Sequence, residues 1–163
     1  MTTEPPPAPV RAKNLISFKI IELGGKVFSD QTGRFPITSS KGSKYVMVLF
    51  SQDINAILAK AMKNRSQAEM IRVTTKMHEH LTNRGFKPHV QILDNECPEA
   101  LKIYFRKNDV KFQLGPPHLH RNNSAERAIA TFKDHLIAGL SSVDPSFPMH
   151  FWCRLIPLAT IQQ

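Results

Sequence analysis

The run Tyr45-Val-Met-Val-Leu-Phe50 decides the fold class. Its continuous apolar pattern is typical of a central strand that is covered on both faces. After it, Asp53-Ile-Asn55 predicts a tight turn into a further strand at 56–62, although the alanines of that segment suit a helix equally well. Before it, Lys26-Val-Phe-Ser-Asp30 predicts a shorter strand that stops at Gln31-Thr-Gly-Arg34. Three strands joined in sequence are therefore expected first.

Helices and strands alternate in the next part of the chain. Ser66-Gln-Ala-Glu69 matches a capping box, and Gly85 is placed to end the helix that follows. The apolar positions of this helix have helical spacing: Met70, Val73, Met77 and Leu81. His89–Leu93 predicts the next strand. A strand, helix and strand in this order imply a right-handed crossover into a parallel pair.

The remaining pattern completes one sheet. Residues 98–108 predict a second helix, 109–114 an edge-type strand, and about 123–140 a third helix. The third helix has one apolar stripe: Ala125, Ile129, Phe132, Leu136 and Leu140. Residues 149–161 predict a last helix that Pro157 kinks or ends. The order βββαβαβα predicts a ribonuclease H-like α/β fold, with a mixed five-stranded sheet of three antiparallel strands plus parallel additions, flanked by helices.

Composition narrows the possible partners. The 163 residues include 22 Lys and Arg against 13 Asp and Glu, a formal net charge of +9, which favours a polyanionic partner such as DNA, RNA or an anionic membrane surface. We find no apolar run of the roughly 20 residues that a membrane span needs, so no membrane partner is expected. The proline-rich residues 1–14 predict a disordered lead-in, and 15–163 one domain. Two isolated cysteines indicate neither a disulfide framework nor a zinc ribbon.

Three acids are placed at the ends of predicted elements. Asp30 and Asp94 each end a strand, and Glu126 lies in the first turn of a helix. Rigidly held carboxylates of this kind can share a divalent metal ion. Each acid taken alone is more typical of a solvated turn or cap residue. Asp53 and Glu96 are rival acids, of which Asp53 suits a hairpin turn and Glu96 a helix start or a supporting position.

The local motifs of these acids resemble a known family. Asp30 in Ser29–Pro36, Asp94 in Ile92–Glu96 and Glu126 in Asn122–Arg127 are similar to the DDE triad of retroviral and LTR-retrotransposon integrases. The resemblance runs from about residue 14 to the C-terminus. It implies two Mg²⁺ or Mn²⁺ ions, with Asp30 bridging both, and no zinc. It also implies 3′-end processing and strand transfer of retrotransposon DNA.

The resemblance extends to residues that contact DNA. Lys133 is placed where retroviral integrases have a DNA-contacting lysine, although it is equally typical of a solvated lysine. Ala130 departs from the family, since retroviral enzymes have a second lysine there. The segment at 118–123 is similar to a mobile DNA-contacting loop. The expected DNA contacts are His118, Arg121 and Asn123 in this segment and Arg127 on the helix that follows it.

The resemblance leaves several expectations about the whole protein. The chain looks truncated at its C-terminus, and nothing in it resembles the zinc domain that precedes integrase cores. A homo-oligomer that acts on DNA in the nucleus, or in a cytoplasmic virus-like particle before nuclear entry, is expected. Two alternatives stay open: a non-catalytic nucleic-acid-binding relic of an integrase, and a ribonuclease H-like nuclease.

Overall fold

The computed structural model describes residues 24–93, 97–114 and 124–160. The predicted lead-in at 1–14 and the predicted DNA-contacting loop at 118–123 lie outside these residues. The described part of the chain is organised around one sheet, and its helices cover both faces of that sheet.

The sheet has the order β3-β2-β1-β4-β5. Its strands are β1 (Lys26–Gln31), β2 (Tyr45–Ser51), β3 (Ala56–Met62), β4 (Val90–Leu93) and β5 (Lys111–Leu114). The first three pair antiparallel, whereas β4 pairs parallel with both β1 and β5. The predicted mixed five-stranded sheet is therefore confirmed. The segment at 56–62 is a strand and not a helix, because Asn55 adopts the left-handed φ of 46° that turns the chain back along β2.

The helices are α1 (Gln67–Thr82), α2 (Glu99–Lys107), α3 (Ser124–Ser142), a 3₁₀ helix η1 (Met149–Arg154) and α4 (Ile156–Ala159). The predicted continuous helix at 149–161 is wrong, since two short helices replace it. Pro157 neither kinks nor ends a helix. It lies in the first turn of α4, where a missing N–H leaves no helical hydrogen bond unmade.

Each face of the sheet has its own hydrophobic core. The α1 side contains Val27, Met47, Leu49, Met77, Leu101 and Phe105, all almost fully buried. The α3 side contains Val46, Val48, Phe132, Leu136 and Trp152. Val46 and Val48 alternate with Met47 and Leu49 along β2, so that β2 contributes to both cores. This explains the continuous apolar run of the central strand.

Trp152 joins the C-terminal part of the chain to the segment that follows β1. Its ring stacks on Phe35 with 4.2 Å between the centroids and 8° between the planes. Its indole Nε1 donates a hydrogen bond of 2.8 Å to the backbone oxygen of Ile37. These tertiary contacts hold η1 against the sheet, and they account for a short 3₁₀ helix where periodicity alone predicts a longer α-helix.

Both ends of α1 are capped. Ser66 Oγ accepts a 3.3 Å hydrogen bond from the backbone N–H of Glu69, as predicted. The Glu69 carboxylate does not return to Ser66 but accepts the N–H of Lys63 at 2.9 Å, so only half of the capping box forms. At the other end, Gly85 has a φ of 85°, and Phe86 N–H bonds to the Leu81 oxygen at 3.0 Å. Gly85 therefore ends the helical segment, as predicted.

Candidate metal and nucleic-acid site

Asp30 is the next-to-last residue of β1 and is half-buried. Val27, Ser29 and Gln31 face the α1 side, since Gln31 Nε2 lies 3.7 Å from Met70 Sδ of α1. Strand alternation then directs Phe28 and Asp30 to the α3 side. Asp30 Oδ1 accepts the backbone N–H of Gln31 at 2.6 Å, which orients the carboxylate. Asp30 is thus a positioned carboxylate on the face that α3 covers.

The ends of β1 and β4 lie side by side. Leu93, the last residue of β4, pairs in parallel register with Ser29, the residue before Asp30. Asp94, the second predicted acid, lies outside the described residues. The register nevertheless places Leu93, which directly precedes Asp94, level with Ser29, which directly precedes Asp30. Parallel strands that end at the same edge of a sheet are where α/β folds place ligands.

Glu126 lies in the first turn of α3, as predicted. Helical spacing predicts that Glu126 lies along one edge of the apolar stripe, neither buried nor freely solvated. The structure instead leaves Glu126 exposed. The helix packs through Ala128 and Ile129 as well as Phe132 and Leu136, and burial of Ala128 turns the packed face away from Glu126. The predicted stripe is otherwise confirmed within the described side chains, with Leu140 half-buried at its end.

Two predicted DNA contacts are described on the same helix. Lys133 and Arg127 are both exposed. Lys133 follows Glu126 by two turns, so it lies about 10 Å further along α3 on nearly the same side. His118, Arg121 and Asn123 lie outside the described residues. The described α3 thus presents the predicted acid Glu126 and these two cations to solvent, together with a further exposed acid, Asp134, and contact of the cations with DNA stays a prediction.

A chain of buried polar side chains lies beneath the junction of β1 and β4. His78 Nε2 on α1 donates to Gln91 Oε1 at 2.9 Å, and Gln91 Nε2 donates to Ser29 Oγ at 2.8 Å. Gln91 is fully buried, and burial lowers the pKa of His78, which favours the neutral imidazole. The spacing of two between His78 and His80 predicts that both are solvated or half-buried, and for His78 that prediction is wrong, since it is 6% exposed. Its side chain continues the buried face of α1 and finds a partner in β4.

Asp53 has a structural role in the turn between β2 and β3. Its Oδ2 accepts the backbone N–H of Gly25, just before β1. Gly25 in turn accepts hydrogen bonds from the backbone N–H groups of His89 and Val90, at 2.8 and 3.1 Å. The interpretation of Asp53 as a turn residue is consistent with this contact. The other rival acid, Glu96, lies outside the described residues.

The described donors fit only part of a divalent-metal site. Carboxylate oxygens are the ligands that Mg²⁺ and Mn²⁺ prefer. Asp30 supplies such a group at the carboxyl end of the central strand β1. Among residues 24–93, 97–114 and 124–160, no three His, Cys, Asp or Glu side chains are grouped closely enough to hold a metal ion. Asp94, which lies outside these residues, is needed for the predicted set of three carboxylates.

Comparisons by sequence and by structure give different results. The chain matches no protein-family model, and no curated protein matches it in sequence. Solved structures do match. The HTLV-2 integrase catalytic core domain in complex with magnesium, in a dimeric form, superposes with a TM-score of 0.61 at 16% identity, over 83% of this chain and 84% of that chain.

The chain has the fold of a retroviral integrase catalytic core. The BIV integrase catalytic core domain superposes with a TM-score of 0.59 at 12% identity, over 83% of this chain and 82% of that one. A chain of the simian T-cell lymphotropic virus intasome, in complex with the PP2A regulatory subunit B56 gamma, gives a TM-score of 0.66 at 16% identity. This chain covers 46% of that intasome chain, and 82% of its own length is matched. The predicted ribonuclease H-like fold is therefore confirmed.

A basic surface along β3 was missed by the predictions. Lys60 interrupts the apolar segment Ala56–Met62, and its side chain is exposed. A lysine within an otherwise apolar strand is typical of a sheet edge. Lys60 was therefore the sequence feature from which this surface could be found.

No helix in the described ranges has both the length and the apolar character that crossing a membrane requires.

Proposed function

We propose that this chain is the catalytic core of a DDE-type integrase, a metal-dependent polynucleotidyl transferase that acts in 3′-end processing and strand transfer of retrotransposon DNA. The observation that supports it most is the placement of Asp30, a positioned carboxylate at the end of β1 whose neighbour Ser29 is level with the end of β4. The integrase-core fold is consistent with that placement, as is Glu126 at the start of α3.

Asp30, Asp94 and Glu126 are the proposed metal ligands. When bound, two Mg²⁺ or Mn²⁺ ions would activate the attacking oxygen and stabilise the leaving oxygen of a phosphoryl transfer. Hydrogen bonding from Gln31 N–H keeps the Asp30 carboxylate oriented before any ion arrives. Glu126 projects from a helix that packs on β1, β2 and β3, so it has a rigid support although it is exposed.

Lys133 and Arg127 are proposed to bind the phosphate backbone near these acids. Both are exposed, and each adds one positive charge to the helix that bears Glu126. His118, Arg121 and Asn123 are proposed to add contacts from the preceding loop. Phosphate contacts hold nucleic acid in register but do not by themselves select sequence. These residues are therefore expected to affect DNA affinity more than the chemical step.

The experiment is a DNA nicking and joining assay. The full chain is incubated with Mn²⁺ and a labelled duplex, and products are resolved on a denaturing gel. Nicked or joined products are expected with the native chain, and their loss is expected with Asp30→Asn, Asp94→Asn and Glu126→Gln. Products that persist unchanged with Asp94→Asn would overturn the proposal. Cleavage confined to an RNA–DNA hybrid would instead support a ribonuclease H-like nuclease.

Asp109→Asn is the matched control for these variants. Asp109 is exposed and precedes β5, whereas Asp30 lies at the opposite, carboxyl end of the parallel strands. Its φ of 56° suits asparagine as well as aspartate. The same chemical change is thus made at the far end of the sheet, and the control should keep full activity. A chain that binds DNA but forms no product under any metal would be a non-catalytic relic.

A further inference from the structure

A polar bridge crosses the hydrophobic core on the α1 side of the sheet. It consists of His78 on α1, Gln91 on β4 and Ser29 on β1, which are joined by hydrogen bonds of 2.9 and 2.8 Å. All three side chains are almost fully buried. The rings of Tyr104 and Phe105 of α2 each lie 6.0 Å from the His78 ring. The polar bridge therefore links one helix to two strands within largely apolar surroundings.

The carboxamide of Gln91 is bonded on both sides. Its Oε1 accepts the N–H of His78, and its Nε2 donates to Ser29 Oγ, with the backbone oxygen of Ile92 a further 3.5 Å contact. A carboxamide has its acceptor and its donors on opposite sides, so these partners select one orientation of the group. Apolar side chains would fill the same space without the cost of burying polar groups. What the bridge adds is direction.

The polar bridge meets the sheet at the end that bears the proposed metal ligands. Gln91 pairs with Val27 of β1, but its side chain reaches diagonally to Ser29, two residues further along that strand. Ser29 belongs to the last pair of the register between β1 and β4. The two residues of that pair directly precede Asp30 and Asp94. A diagonal bond at this place opposes sliding of one strand along the other as well as their separation.

The polar bridge does not itself reach the metal site. Ser29 and Gln91 face α1, whereas strand alternation directs Asp30 to the α3 side. The bridge can therefore act on the carboxylates only through the backbone of β1 and β4. Side chains that share a ligand must be held to within roughly 0.5 Å of the productive geometry, so the relative position of two strand ends affects affinity.

We propose that the polar bridge positions Asp30 relative to Asp94, and that it thereby raises the affinity of the site for Mg²⁺ and Mn²⁺ and its preference for these ions over Ca²⁺. The inference rests on the proposed metal site. Mg²⁺ requires a near-ideal octahedron of oxygens, whereas Ca²⁺ accepts irregular sets at longer distances. Strand ends that can slide would still suit Ca²⁺ but would suit the smaller ions less well. The members of the bridge are positioning residues and not ligands.

The test replaces the whole polar bridge by apolar side chains in the full chain. Ser29→Ala, His78→Phe and Gln91→Leu are combined, so that none of the three partners is left unpaired and the variant should stay folded. Thr74→Val is the matched control. Thr74 is buried in the same core on α1, but its hydroxyl lies 3.6 Å from Met47 Sδ of β2 and bonds to neither β1 nor β4. Mn²⁺ binding is measured by electron paramagnetic resonance of the free ion, and Mg²⁺ and Ca²⁺ binding by displacement of Mn²⁺.

The triple variant is expected to bind Mn²⁺ and Mg²⁺ roughly tenfold or more weakly, as is typical when groups that orient metal ligands are removed. Its affinity for Ca²⁺ should fall by less. Thr74→Val should keep the native affinity for all three ions. Native affinity in the triple variant, or an equal loss for the three ions, would overturn the proposal. So would the same loss in Thr74→Val.

Ser29→Ala alone is the second variant, and it decides the matter if circular dichroism shows that the triple variant is unfolded. It removes only the link to β1, so weaker Mn²⁺ binding is again expected, and unchanged binding would overturn the proposal. Asp30→Asn separates this outcome from failure of the proposed function. Mn²⁺ binding that is absent from the native chain, or unchanged by Asp30→Asn, would overturn the metal site and the role of the bridge together. Binding that Asp30→Asn abolishes but the bridge variants keep would overturn the role of the bridge alone.

Discussion

Ser29 and Gln91 hydrogen-bond across the junction of β1 and β4, with 2.8 Å between Gln91 Nε2 and Ser29 Oγ. The bond is fully buried, and it lies one residue before Asp30 along β1. An apolar pair would fill the same space without a directional constraint. A hydrogen bond favours one register of two neighbouring strands, because a shift by one residue would leave both groups unpaired.

Gln91→Leu is expected to destabilise the protein by about 1–3 kcal/mol, since it leaves the buried His78 N–H and Ser29 hydroxyl without this partner. Urea unfolding followed by circular dichroism measures the loss. Gln113→Leu, on the exposed side of β5, is the control and should change the free energy of unfolding by no more than about 0.5 kcal/mol. Adding His78→Phe to Gln91→Leu should recover part of the loss. Equal stability of the native and Gln91→Leu proteins would contradict the role of this bond.

Gly25→Ala is expected to be severely destabilising. Gly25 has a φ of 74°, and an added Cβ would lie 2.8 Å from both His89 N and Lys87 O. Backbone atoms cannot rotate away as a flexible side chain can, so we expect a loss of about 2 kcal/mol or more. Gly33→Ala is the matched control, because nothing lies within 4 Å of its added Cβ. Thermal melting of both variants checks this, and similar melting temperatures would refute the steric argument.

The low pKa of Glu69 predicts that the difference in stability between the native and Glu69→Gln proteins depends on pH. Its hydrogen bonds with Arg72, together with the N–H of Lys63, lower its pKa from 4.5 to about 2. A lowered carboxyl pKa adds stability that is fully present above about pH 4.5 and is lost as pH falls towards 2. Glu69→Gln should therefore cost roughly 1 kcal/mol at pH 7 and almost nothing near pH 2. Urea unfolding at pH 7, 4 and 2.5 measures this convergence. A constant difference at all three pH values would exclude the carboxylate as its source.

Metal binding can be tested without turnover. At Mn²⁺ concentrations about 100-fold above Kd, the native chain should be stabilised by about 2.7 kcal/mol, a rise in Tm of roughly 5–11 °C. Asp30→Asn should lose this rise, whereas Asp109→Asn should keep it. Removal of the metal with EDTA should reverse the effect. A rise that is the same in Asp30→Asn and the native chain would place the ion elsewhere.

The strands were predictable because their patterns are local. A continuous apolar run at 45–50 predicts a strand with two covered faces, and β2 does contribute to both cores. The end of β1 and the start of α3 were also predictable, and with them the placement of Asp30 and Glu126. The distance between these acids was not, because it depends on how α3 packs across the sheet, and no local pattern encodes a packing angle.

The remaining differences depend on contacts between distant residues. His78 looks the same in sequence whether it is solvated or bonded to Gln91, which is 13 residues away. The C-terminal segment has helical periodicity, but Trp152 is held by Phe35 and Ile37 and forms a 3₁₀ helix instead. The basic surface along β3 likewise assembles from β3, α1 and α4. Only Lys60, inside an apolar strand, marked it in advance.

The hydrogen bond between Trp152 and Ile37 joins residues 115 positions apart, and this has a consequence for the order of events during synthesis. The α1 side of the sheet is complete in sequence at Leu114, but the α3 side needs Trp152, 38 residues later (152 − 114). At about 5–20 residues per second, translation takes roughly two to eight seconds to cross that interval. Until α3 is made, Val46 and Val48 have no covering helix, and until Trp152 is made that cover is incomplete, so we expect the nascent chain to expose apolar surface on this half of its central strand.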